Sequence, residues 1–229
     1  MKRISFLSCG LLAALAFPLS ATAQLILPPG WKWATDVPSR VTTNADFDKV
    51  LGDSVWRFTQ MTPGFHVTTR PAALMYDATI QASGRYAVES VQILFPGTSQ
   101  SGYGLFIGGR DLDAAGAQFI AFLARRDGQV SIERRSAGQT TTLVPWTPSP
   151  AVKLAPKADD TASNTLRVSV ELDSLRFNIN GQPVAAVARR DLPVDGYFGF
   201  RTGADINMHI TTIDFMRRLA TVPPPKPAP

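Results

Sequence analysis

The stretch LRVSVELDSLRFNINGQPVA, residues 166–185, decides the fold. Leu166, Val168, Val170 and Leu172 alternate with Arg167, Ser169 and Glu171, and a second alternation follows in Leu175, Phe177 and Ile179. A period of two sends successive side chains to opposite faces of a pleated strand, so the stretch reads as two half-buried antiparallel strands turning at Asp173-Ser174. Asn180-Gly181 is a pair that tolerates positive φ at both centres of a tight turn, returning the chain into Gln182-Pro183-Val184-Ala185. Because Pro183 has no N–H for a ladder, that third strand belongs at a sheet edge or begins near the proline.

The same pattern extends outward. Strands are predicted at 55–58, 65–69, 73–76, 85–95, 103–107, 118–124, 130–134, 140–144, 197–202 and 207–215, punctuated by Pro63-Gly64, Pro96-Gly97, Asp127-Gly128 and Asp195-Gly196. Residues 119–124, FIAFLA, are apolar on both faces and should run mid-sheet with cover on each side. Only 45–51 has helical spacing, with Asn44 as its cap. About a dozen strands and at most one short helix predict an all-β, two-sheet antiparallel sandwich.

The ends are of another kind. Lys2 and Arg3, the apolar run 4–19, and Ala21-Thr22-Ala23 before Gln24 have the three parts of a cleaved export signal, expected to span residues 1–23. Cleavage would leave 206 residues and remove the single cysteine, Cys9. Of 23 basic residues Lys2 and Arg3 would also go, leaving 21 against 18 acidic ones, a net charge of +3. Such a product has no thiolate chemistry and no disulfide to rely on, and its place is the periplasm or the exterior. Its basic residues are scattered among acids, which points away from nucleic acid, and after cleavage no segment is expected to hold it to a membrane. Residues 24–44, with Trp31 and Trp33 and no periodicity, read as an extended arm; 45–218 as the sandwich; and 219–229, dominated by proline, as a tail.

Several segments carry a family likeness: GYGLFIG at 102–108, QFIAFL at 118–123, RDGQVSIER at 126–134, NTLRVSV at 164–170, LRFNING at 175–181 and GYFGFRTG at 196–203. In their order and turns they resemble the concanavalin A-like jelly-roll superfamily of lectins, glucanases and laminin-G-like modules. Within it they look most like the exported bacterial domains described as 3-keto-disaccharide hydrolases or left uncharacterised. The resemblance implies a concave sheet able to hold an extended sugar, and no particular reaction.

No catalytic residue is assigned. Glucanases of that superfamily set two carboxylates on one strand as Glu-x-Asp-x-(x)-Glu, and none of Glu89, Glu133 and Glu171 is followed by that pattern; Glu171-Leu172-Asp173 has its first half only. His66 and His209 alternate with polar neighbours, and no Gly-x-Ser-x-Gly elbow accompanies them. Asp111-Leu112-Asp113 lacks the third acid of a calcium loop, so no metal or cofactor is expected, with structural calcium left open. A binding site for a polysaccharide or glycan needs flat aromatic faces and forked donors. The candidates are Tyr103, Arg110, Arg125, Trp146 and Arg201, with Trp56 and Tyr197 weighed beside them as packing residues. The expectation is therefore an exported carbohydrate-binding or scaffold domain. The alternatives are a glycoside-active enzyme with acids from different strands, and a laminin-G-like module that binds a protein partner.

Overall fold

A computed structural model describes residues 27–36 and 57–218, with side chains from 61 onward in the second segment. The expected helix at 45–51, Trp56, the export signal and the proline tail lie outside the described residues. Fifteen strands, and no helix, occur among those described. They form two antiparallel sheets. One has seven strands in the order β1 (Trp31–Thr35), β4 (Ala73–Asp77), β13 (Tyr197–Thr202), β6 (Tyr103–Arg110), β7 (Gln118–Ala124), β8 (Gln129–Ser136) and β9 (Gln139–Pro148). The other runs β12 (Gln182–Ala188), β11 (Ser174–Ile179), β10 (Ala162–Val170), β5 (Tyr86–Leu94), β14 (Ile206–Ile210), β3 (Phe65–Thr69) and β2 (Arg57–Gln60), with β15 (Asp214–Arg217) also on β5. This is a jelly-roll sandwich.

The deciding stretch folds as read, with one exception. Leu166, Val168 and Val170 on β10 and Leu175, Phe177 and Ile179 on β11 are fully buried between the sheets. Asn180 and Gly181 take φ of 51° and 79°, the left-handed pair that a two-residue hairpin needs. Leu172, expected in phase with the buried set, is 71% exposed because β10 ends at Val170 and the chain has begun to turn. Pro183 is the second residue of β12, which is an edge strand.

Two segments differ from the pattern. Trp31–Thr35, expected in an unperiodic arm, is a five-residue edge strand paired with β4. Trp31 stacks on Phe200 at 5.8 Å and meets Phe65 at 5.6 Å, so its ring closes the gap between the sheets. The single strand expected at 207–215 breaks at 211–213 into β14 and β15, both of which pair with β5; Ser90 Oγ donates to the Thr212 carbonyl at the break, 2.6 Å.

The core lies between the sheets, where Met75, Leu105, Phe122, Ile132 and Phe200 face Val88, Val168, Phe177 and Met208. A second apolar cluster lies on the other side of the seven-stranded sheet: Leu74, Tyr76, Phe106, Phe119, Ala121 and Leu123 are all buried. β7 is therefore covered on both faces, as its apolar sequence requires.

Candidate functional site

The outer face of the seven-stranded sheet gathers most of the chemistry. Successive register partners across it are Ala34, Leu74, Arg201, Gly104, Leu123 and Ser131; two residues along run Tyr76, Gly199, Phe106, Ala121 and Glu133. Side chains two apart share a face, so Arg201 and Glu133 project over one apolar floor. Asp36 follows β1 at one edge of the sheet, whereas Arg135 belongs to β8, with four strands between them. Five steps of strand spacing would separate them by about 24 Å in a flat sheet. Arg135 Nη1 and Asp36 Oδ2 are nevertheless 3.5 Å apart. The face is thus cupped, with Asp36 leaning in from its rim.

Asp36 is the hub of the cup. Arg201 holds it with both terminal nitrogens, Nη1 to Oδ1 at 2.8 Å and Nη2 to Oδ2, a bidentate geometry that fixes both groups. The Arg201 guanidinium also lies 5.6 Å from the Phe119 ring. Glu133 stands in the same electrostatic neighbourhood. Burial pushes its carboxyl above the ordinary range and Asp36 adds to that, while Arg201 pulls it down.

At the other part of the face Arg125 lies over Trp146, 4.7 Å from the ring centroid. Arg125 is itself forked onto Asp127, Nε to Oδ1 at 2.9 Å, and this pair holds the Asp127 carboxyl below its ordinary range. The indole is half-buried above Gly102 and Leu123. A flat ring, a guanidinium stacked on it, and polar groups at the rim can receive a polar ring-shaped ligand.

Three of the five residues expected at the site thus share this face: Arg125, Trp146 and Arg201. The other two do not. Tyr103 is 1% exposed and packs between the sheets, in phase with Leu105 and Ile107; its hydroxyl accepts from Asn164 Nδ2 at 3.1 Å. Glycines flank it on both sides, but the alternation of β6 governs and turns the ring inward. Arg110 ends β6 at the opposite end from Tyr103, about 24 Å along the strand. There it donates from Nε to the Asp195 carbonyl, 3.1 Å, beside an open depression of about 840 Å³ bordered by Arg189, Arg190 and Asp191.

Asp36 and Glu133 had not been expected there. Glu133 could have been placed from sequence, since it alternates with the buried Ile132. Asp36 could not, because its place depends on a contact spanning 99 residues of chain to Arg135. His66 and His209 are cross-strand partners on the other sheet: His66 Nε2 lies 2.7 Å from Asn207 Oδ1, and His209 Nε2 2.8 Å from the Pro63 carbonyl. No group of three or more metal-ligating side chains occurs among the described residues.

No family model matches this chain, and no curated protein matches it. Solved structures do. The carbohydrate binding module CBM66 from Bacillus subtilis aligns at 13% identity and a TM-score of 0.55, covering 72% of this chain and 98% of that one. The Bacteroides ovatus mixed linkage glucan PUL GH16, in complex with its G4G4G3G product, aligns at 11% and 0.53, covering 81% and 94%. A protein of unknown function with a galectin-like fold from Bacillus subtilis aligns at 11% and 0.51, covering 81% and 97%. At these identities the likeness concerns the fold alone. The fold is a galectin-like jelly-roll β-sandwich.

Proposed function

We propose that this protein is an exported glycan-binding domain that holds an extended sugar chain in the cupped outer face of its seven-stranded sheet. The observation that carries the reading is the placing of Trp146 with Arg125 above it, together with the Arg201–Asp36 fork, on one concave face, where these groups lie over a buried apolar floor. Sugar hydroxyls bond to fixed guanidinium and carboxylate groups, and the C–H faces of the rings pack against the exposed part of an indole held beside them. The fold's occurrence in a carbohydrate binding module supports the same reading. Export follows from the signal-like residues 1–23 and is tested by the mass of the protein recovered from the periplasm or the medium. Binding is tested by a glycan array with wild-type protein and Trp146→Ala. Wild type should retain at least one glycan that the variant loses. Absence of binding to every glycan by folded protein overturns the reading.

Glu133 favours a second reading, cleavage of a glycosidic bond. A carboxyl whose proton affinity burial raises, with the Asp36 carboxylate nearby, is the kind of pairing an acid-assisted cleavage uses. Release of reducing sugar from a bound glycan, abolished in Glu133→Gln, would establish it. Unchanged glycan after prolonged incubation leaves the protein a binder.

A further inference from the structure

A cleft of about 360 Å³ opens at the end of the sandwich, between residues 153–158 in the β9–β10 connection and the ends of β5, β6 and β7. Its lining includes Arg125, Arg126, Lys153 and Lys157, and no carboxylate. Asp127 neutralises Arg125. Arg126 is steadied by carbonyls instead, Nη2 to Phe95 O at 3.0 Å and Nε to Ser99 O at 3.4 Å, which orient its charge without cancelling it. Lys153 and Lys157 are exposed, and among the described residues neither they nor Arg126 makes an ion pair. Asp159 and Asp160 follow closely in the chain, but neither lines the cleft nor makes an ion pair among the described residues.

Tyr103 also lines this cleft. Burial pushes its hydroxyl up to about 12, so it keeps its proton. Asn164 fixes the direction of that proton. Its Oδ1 accepts from Lys153 N and from Asn180 Nδ2, both at 2.8 Å, which leaves Nδ2 as donor to Lys153 O and to the Tyr103 oxygen. The tyrosine oxygen is thus an acceptor already, and among the described residues its own O–H has no acceptor. A buried neutral donor in a cleft that is also lined by three cations without an ion-pair partner among the described residues favours an oxyanion.

Resting on the glycan-binding reading above, we infer that the sugar chain is acidic and that a carboxylate or sulfate ester it carries seats in this cleft. Arg125 joins the two places: its guanidinium stacks on Trp146 and lines the cleft. A chain held at the indole is therefore within one side chain of the basic opening.

The test titrates purified protein, expressed from the full-length chain, with two matched pairs: polygalacturonate against its methyl ester, and dextran sulfate against dextran. Free galacturonate and free sulfate are titrated alongside. The expected result is that the charged member of at least one pair binds about tenfold tighter at 50 mM salt, less so at 500 mM. The variant Lys153→Ala/Lys157→Ala should lose that preference while its affinity for the neutral member is unchanged. Equal loss in Arg176→Ala/Arg217→Ala, which removes two exposed charges on the other sheet, would mean generic polyanion attraction and overturn the inference. Equal binding of charged and neutral members overturns it too, and leaves the glycan reading standing. Monomers binding as tightly as polymers would make the cleft an isolated oxyanion site, contradicting a chain-borne acid. Folded protein that binds no polymer here and no glycan on the array fails the glycan reading itself.

Discussion

Trp146 lies over Gly102 so closely that a methyl group on the glycine would stand 2.8 Å from Cη2 of the indole and 3.0 Å from Cβ of Leu123. Gly102 does not have a left-handed φ, so space rather than backbone conformation calls for glycine. Gly102→Ala should tilt the indole away from Arg125. Glycan affinity is expected to fall about tenfold, with a stability loss of about 1–2 kcal/mol from overpacking, read by calorimetric titration and urea denaturation. An unchanged affinity would separate Trp146 from the site.

Glu171 is clamped on the outer face of the other sheet. Arg85 donates to it at 2.7 Å and Arg218 lies at 3.1 Å, and the hydrogen bond from Arg85 leads in holding its carboxyl below the ordinary range. A lowered folded pKa contributes stability that is complete above the unfolded value and lost as pH falls through the folded one. Glu171→Gln should therefore cost about 1 kcal/mol at pH 7, and the difference from wild type should vanish on acidification toward pH 2. Denaturation midpoints across pH 2–7 check this.

Glu133 has the opposite sign. Its carboxyl is raised by burial, so the folded state favours the proton, and stability is lost as pH rises through the folded value. Glu133→Gln should melt above wild type at pH 7 and converge with it in acid, while its glycan affinity falls. A variant less stable at pH 7 would mean that the Arg201 interaction outweighs the burial.

Asn164 ties β10 to β6, to the β11–β12 turn and to the β9–β10 connection through Tyr103, Asn180 and Lys153. Asn164→Ala leaves the Lys153 amide and the Asn180 side chain short of partners in a dry setting, which costs about 2–3 kcal/mol by urea denaturation. Asn164→Asp should recover the bonds made to Oδ1 but not those donated by Nδ2.

How much of this was legible depended on range. The hairpin at Asn180-Gly181, the buried phase of Leu166 to Ile179 and the mid-sheet position of Phe119 to Ala124 follow from residue chemistry read over a few neighbours. Tyr103 was readable as well: it is in phase with Leu105 and Ile107, and that alternation turns it inward. Trp31 and Trp33 escaped the strand pattern because on an edge strand of five residues only one side pairs, with β4. The cup itself had no local trace. It exists because the chain after β1 brings Asp36 to Arg135 and Arg201, 99 and 165 residues away, and closure of that kind is set by sheet curvature rather than by any motif.

The central claim, that a glycan lies in the cup, is tested most directly by NMR titration of the protein with a glycan retained on the array. The Trp146 indole N–H and the Nε–H groups of Arg125 and Arg201 should shift together and saturate at one affinity, while Arg167 and Arg176 on the opposite sheet stay still. Saturating shifts confined to that opposite sheet, with Trp146 unmoved, would contradict the account.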